Sequence, residues 1–188
     1  MNPSRSPAQE KARLREEMHA ARSQFNEAQR ARAALSLCNG LCPWLLRRAD
    51  ARIAVYLARS FELSLDPLIA CLLECGVPLG APCVDVAAGT MRFCPLSSLD
   101  ATQNGAWQVR EPICSDAFAP TLALVPALAL DPHGHRLGTG GGWYDRFLPR
   151  DCLAVGVTFD VCLVPAVPTE PHDRAMNHVW SERRCFDC

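Results

Sequence analysis

His133-Gly134-His135-Arg136-Leu137-Gly138-Thr139-Gly140-Gly141-Gly142-Trp143-Tyr144-Asp145-Arg146-Phe147-Leu148 carries five of the chain's eleven glycines within nine residues. An apolar run, Thr121 to Leu130, precedes it, and the segment after the glycines reads as a helix. Glycines between a buried strand and a helix start let backbone N–H groups approach a phosphate, because no Cβ stands in the way. The helix N-terminus adds free donors and the positive end of its dipole. Arg136 and Arg146 bracket the loop with positive charge, and Asp145 offers a hard oxygen suited to Mg2+. The stretch reads as a nucleotide or phosphate cradle; the alternative is a plain strand-to-helix turn, glycine-rich for steric reasons. It is not a Walker A loop, since no Lys-Ser/Thr pair follows the last glycine, and it is not a clean G-x-G-x-x-G fingerprint.

Working outward, the chain alternates strand and helix. Residues 1–6 read as disordered. A helix starts near Pro7, with Leu14, Met18, Ala21 and Phe25 as its apolar stripe, and Asn26 caps a second helix running to about Leu37. Arg52 to Leu57 is the first buried strand. Asp66 caps the next helix, Pro67 takes its first turn and Gly76 closes it. Val77–Val86 and Met91–Pro95 are strands around an Ala-Ala-Gly turn, and 97–120 is rich in loops. Leu122–Leu130 and Leu153–Thr158 are further buried strands, and the tail, Val164 to Glu182, carries Pro and His residues before it turns apolar again. The fold class is therefore α/β: a single domain over 1–188, with a mixed, largely parallel sheet flanked by helices in a Rossmann-like three-layer arrangement.

Composition narrows the function classes. Nineteen Lys plus Arg stand against twenty Asp plus Glu, so the basic excess of a nucleic-acid binder is missing. The apolar runs fall short of a membrane span, and the polar N-terminus lacks the core of a signal peptide. A soluble, cytoplasmic monomer with no nucleic-acid or membrane partner is expected. The eleven cysteines read as reduced thiols, mostly small buried hydrophobes; the only C-x-x-C is Cys185 to Cys188.

Several residues outside the glycine loop carry candidate chemistry. At roughly 100° per residue, Lys11, Arg15 and Arg22 fall along one edge of the first helix's stripe, either as a cationic rim to a cleft or as a solvated basic face. Leu57 and Glu62 follow the first strand, and α/β sheets gather ligands beyond the carboxyl ends of their strands. A carboxylate there suits the paired donors of a pterin's amino-pyrimidine face, although a surface glutamate would look the same. Trp107 either stacks on a flat ligand or anchors a long loop. Asp173, after Pro171 and His172, is on its own an ordinary turn former.

The motif Arg-Leu-Gly-x-Gly-Gly-Gly-aromatic-Tyr-Asp-Arg-Phe-Leu at 136–148, preceded by Val-Pro-Ala-Leu-Ala-Leu-Asp, resembles the signature of the 5-formyltetrahydrofolate cyclo-ligases, also called methenyltetrahydrofolate synthetases. The resemblance runs roughly from residue 11 to 182 and is concentrated between 125 and 148. It implies that Lys11 and Arg15 match a Lys-x-x-x-Arg pair on ATP phosphates and act in catalysis. It implies ATP contacts from Arg136, Leu137, Gly138, Thr139, Gly140, Gly141, Gly142, Trp143 and Tyr144. Folate contacts are implied for Leu57, Glu62 and Trp107, together with Thr139, Gly140, Gly141, Gly142 and Trp143, and Mg2+ ligation for Asp145 and Asp173. Trp143 stands where Tyr or Phe is more usual.

The reaction so implied is ATP- and Mg2+-dependent closure of 5-formyltetrahydrofolate, a reduced folate, to the 5,10-methenyl form. The formyl oxygen takes the γ-phosphate, N10 attacks the activated carbon, and phosphate leaves alongside ADP. Two other classes remain open from the residues alone. One is a non-catalytic folate or nucleotide binder of the same fold. The other is a sugar-phosphate isomerase-like enzyme using one of the carboxylates as a base and no ATP.

Overall fold

The computed structural model describes residues 6–48, 50–114, 116–171 and 173–188. Helix α1 spans Pro7–Ser23; the Ser6 hydroxyl accepts from the Gln9 N–H while the Gln9 side chain accepts from the Ser6 N–H, a reciprocal capping box. Of the segment expected to be disordered, residues 1–5 therefore lie outside the described residues and Ser6 is an ordered cap. Lys11, Leu14, Met18 and Arg22, three or four residues apart, are the positions that α1 turns inward. Helix α2, Glu27–Leu46, repeats the capping box with Asn26 and Gln29. It runs past the expected end at Leu37, because Leu41, Cys42 and Leu45 continue its buried stripe.

The other elements in chain order are β1 (Ile53–Ala54), α3 (Asp66–Glu74), β2 (Leu79–Asp85), β3 (Thr90–Pro95), β4 (Thr102–Asn104), β5 (Arg110–Pro112), β6 (Leu122–Pro126), β7 (Ala129–Leu130), β8 (Arg136–Leu137), α4 (Trp143–Phe147), β9 (Leu153–Val157), β10 (His178–Trp180) and β11 (Cys185–Asp187). Seven strands form one sheet in the order β11-β10-β9-β6-β1-β2-β3. The four central pairings are parallel, and the edge strands β3 and β11 are antiparallel to their neighbours. This is the expected mixed, largely parallel α/β sheet.

Alternation along the strands sorts the core onto two faces. Leu122 and Leu124 of β6 and Val155 and Val157 of β9 join the cluster under α1, α2 and α3. Ala123, Val125 and Ala154 face the other way, against Phe118, Leu148, Met176 and the ring side of α4. The second face is thus covered by one short helix and irregular chain.

Local readings differ in four places. Only Ile53–Ala54 pair on both sides as strand, although the chain stays buried through Leu57. The N-cap of α3 is Leu65, with no side-chain cap, and Asp66 instead pairs with Arg110 at 2.7 Å. The Leu122–Leu130 run breaks after Pro126, so that Ala129–Leu130 can pair with Arg136–Leu137 and fold the glycine stretch back toward the sheet. The loop-rich 97–120 region holds the small β4–β5 hairpin.

Candidate functional site

The sheet order creates the site. From β1 the chain crosses through α3 to β2 on one side; from β6 it crosses through α4 to β9 on the other. The adjacent strands β1 and β6 therefore lead away from each other beyond their carboxyl ends, leaving a crevice of the kind in which α/β sheets bind ligands. A cavity of about 520 Å3 lies there. Every residue singled out from the sequence, from Lys11 and Arg15 through Leu57, Glu62, Trp107 and the 136–145 loop to Asp173, lines it.

Helix α1 delivers the cations. Arg15 donates from Nε to the Gly138 carbonyl at 3.0 Å, tying the helix to the glycine loop. Lys11 was expected at an exposed rim; its side chain is only 9% exposed, with Nζ 2.7 Å from both Glu170 Oε2 and Asp173 Oδ2. Burial alone would push this ammonium down, but the hydrogen bonds and charges of Asp173 and Glu170 hold it above its ordinary value. Arg22, predicted on the same edge, is fully buried and bonds to Leu128 O, Ala127 O, Phe61 O, Thr158 Oγ1 and Cys162 Sγ. Its five acceptors are all neutral, so Arg22 fastens α1 to the β6–β7 turn instead of presenting charge to a ligand.

The glycine loop is bare backbone facing the cavity. Gly140 has φ +105°, a conformation that side chains rarely adopt, and a Cβ there would stand 4.0 Å from the Arg15 guanidinium. The Trp143 indole folds over Gly141, where a Cβ would come within 2.8 Å of the ring. The Arg136 side chain is buried and donates from Nη2 to Asp145 Oδ1 at 2.6 Å, yet its Nε has no hydrogen-bond partner among the described residues. A buried, unclaimed guanidinium donor in a cavity wall suits an anionic ligand. Helix α4 is shorter than the glycine-to-helix reading implied, because Pro149 drives Leu148 into extended backbone. Amides, more than a long helix dipole, characterise this end.

The opposite wall is flat and aromatic. Trp107 is 53% exposed with its ring 5.6 Å from that of Trp143, so it does not anchor a loop core. Trp107 and Gln108 both hold positive φ, 53° and 58°, a strained turn that presents the indole at the cavity mouth. Glu62 Oε2 accepts from the Arg59 N–H at 2.9 Å. Burial pushes the Glu62 carboxyl up, with that hydrogen bond and the charges of Arg59 and Arg22 pulling the other way. The Tyr144 hydroxyl, buried beside it, is also pushed up by burial.

Two participants escaped the sequence reading. Glu170 shares Lys11 with Asp173, and Arg59 lies over the Trp107 ring at 5.7 Å. Glu170 stands three residues before Asp173, and its only signal was the charge itself. His135, left without a catalytic part, keeps a structural one: its Nδ1 is 3.0 Å from Asp131 Oδ2 in the tight 131–135 turn.

The donor set bears on a divalent metal. Asp145 is held by Arg136, Asp173 by Lys11, and among the described residues no three His, Cys, Asp or Glu side chains are grouped to hold an ion. One or two carboxylates completed by phosphate oxygens and water is the usual Mg2+ arrangement in phosphoryl-transfer sites, and these residues fit that pattern.

Comparison with known proteins bears on the same cavity. The sequence model of the 5-formyltetrahydrofolate cyclo-ligase family matches residues 7–182. The Haemophilus influenzae protein named 5-formyltetrahydrofolate cyclo-ligase is 26% identical over 175 residues, covering 88% of this chain and 94% of the relative. A protein of the same name from Mycolicibacterium smegmatis is 47% identical over 64 residues, 32% of this chain and 33% of that one. The NMR structure of Aquifex aeolicus 5,10-methenyltetrahydrofolate synthetase superposes with a TM-score of 0.82 at 25% identity, over 94% of this chain and 92% of that one.

Proposed function

The chain belongs to the 5-formyltetrahydrofolate cyclo-ligase family, and from that premise we propose that it closes 5-formyltetrahydrofolate to 5,10-methenyltetrahydrofolate with consumption of Mg2+-ATP, as a cytoplasmic monomer. The observation that carries this reading is the meeting of α1's cations with the bare glycine loop, Arg15 Nε on Gly138 O at 3.0 Å, in one cavity that also holds Glu62 and Trp107.

Phosphoryl transfer asks a protein mainly for positioning and charge neutralisation. The amides of Gly138 to Gly142 and the unclaimed Arg136 Nε orient the phosphate chain. Lys11 and Arg15 neutralise its terminal group. Asp145 and Asp173 would hold Mg2+, which would supply charge neutralisation for the phosphate groups. Glu62 accepts two donors from the pterin, Leu57 lies beside it, and Trp107 and Trp143 flank the ring. An amide-like formyl oxygen is a poor leaving group until phosphorylation makes it a good one, so N10 attack follows that step and phosphate departs. Purified protein given 5-formyltetrahydrofolate, Mg2+ and ATP should develop the methenyl absorbance band. No band with ATP present overturns the assignment; a band without ATP overturns the phosphoryl step.

The folate side makes a separate prediction. Pairing with a pterin needs the ionised form of Glu62, and burial raises this carboxyl. Affinity for 5-formyltetrahydrofolate, titrated calorimetrically without ATP, should fall as pH drops through that raised value, at a higher pH than an ordinary glutamate would set. Unfolding does not mimic this: a carboxyl raised in the folded state takes up its proton there first, so its contribution to stability grows as pH falls through the folded value. Glu62→Gln should weaken binding and flatten its pH dependence in this range. An unchanged profile in that variant removes Glu62 from the folate site.

A further inference from the structure

Away from the cavity, α2 and α3 pack side by side with cysteines on their facing turns: Cys38 and Cys42 from α2, Cys71 from α3 and Cys75 at its C-cap. Spacing of four residues puts each pair on one helix face. All four are free thiols, and Cys71 is central, hydrogen-bonded to Cys42 and in contact with Cys38. The Cys42 and Cys71 Sγ atoms are 2.7 Å apart. Unbonded heavy atoms rest near 3.5–4.0 Å even for carbon, which is smaller than sulfur. A disulfide bond, at about 2.05 Å, is a short step from this contact. Cys42 is buried, whereas Cys71 is partly open to solvent.

We propose that Cys42 and Cys71 are a dithiol–disulfide couple, a modification site at the α2–α3 interface that hydrogen peroxide closes into a covalent staple. Cys71, the more accessible, reacts first: its thiolate attacks the peroxide, the O–O bond breaks, one water leaves and a sulfenic acid remains. Cys42, its thiol pushed up to about 12 chiefly by burial, is the poorer first nucleophile but lies against the oxidised sulfur. It attacks that sulfur and gives up its proton as the hydroxyl departs in a second water. Two thiols and one peroxide thus yield one disulfide and two waters, the two electrons passing from sulfur to oxygen. The loop so closed contains β1, Leu57, Arg59 and Glu62, so the staple spans the segment that forms one wall of the cavity.

The test treats the full-length protein with a small excess of hydrogen peroxide. Remaining thiols are then alkylated, and peptides are mapped by mass spectrometry without reduction. A Cys42–Cys71 cross-link, located by fragmentation, is expected, with a melting temperature raised by about 5–10 °C and restored by dithiothreitol. Cys71→Ala and Cys42→Ala should each lose both the cross-link and the rise, whereas Cys38→Ala and Cys75→Ala should keep them. The wild-type peptide map decides the matter even if one variant folds poorly. A bond through Cys38 or Cys75, a cross-link between two chains, full alkylation of Cys42 and Cys71 after oxidation, or zinc bound to these thiols in the purified protein would each overturn the proposal.

Discussion

Lys11→Ala is expected to lower kcat/KM for ATP-dependent methenyl formation by about 10³-fold, the scale of removing a cation from a transferring phosphoryl group. It should shift the melting temperature by only a few degrees. The split follows from where the side chain sits. Its ammonium is held 2.7 Å from Glu170 and Asp173 and stays charged at any working pH. The partners are 41% and 20% exposed, so solvent takes over much of their charge once Lys11 is gone, and ion pairs open to water are worth about 1 kcal/mol or less. Packing around the aliphatic stem adds little more. Lys11→Arg should not restore the rate, because a planar fork does not reproduce a compact point charge between two carboxylates. Steady-state kinetics and a thermal melt on the same preparations check both halves. Wild-type turnover in Lys11→Ala removes it from phosphate chemistry; a collapsed melt assigns it to the fold.

How far the sequence reaches is visible in residues such as these. The glycine loop, the β2–β3 hairpin and strands β6 and β9 are legible because each is a local pattern: a cluster of small residues, a turn between extended runs, a short apolar stretch. Periodicity also put Lys11, Arg15 and Arg22 on one edge of α1. It could not say that the helix buries two of the three, since burial depends on what packs against it, here the β6–β7 turn and the 160–162 segment. Two-residue strands such as β7 and β8 leave no period to read. The missing cap at Leu65 follows from a tertiary claim on Asp66, whose carboxylate is taken by Arg110. Glu170 and Arg59 became part of the site only through contacts with Lys11 and Trp107, neither near in sequence.

Arg22→Leu should do the reverse of Lys11→Ala, costing about 2–4 kcal/mol of stability and about 10 °C in melting temperature. Two effects compete. Leucine removes the desolvation cost of a buried guanidinium, and swapping a buried charge for a hydrophobe is often neutral when its partner leaves too. Here the partners stay: the carbonyl of Leu128 and Cys162 Sγ lose a donor inside the core, and the half-buried carbonyl of Phe61 loses one at its edge. Ala127 O keeps the Thr158 hydroxyl at 3.0 Å and is the least affected. Buried acceptors stripped of donors cost about 1–3 kcal/mol each, which outweighs the desolvation gain. Arg22→Lys should fall between, since one ammonium cannot reach acceptors spread over the 61, 127–128 and 158–162 segments. Turnover per folded molecule in Arg22→Leu should remain above that of Lys11→Ala, because Arg15 and the glycine loop still tie α1 to the cavity. Urea titration and kinetics below the melting range measure both. If the leucine variant melts at or above the wild-type temperature, the guanidinium is no clamp, and α1 is held by its apolar stripe alone.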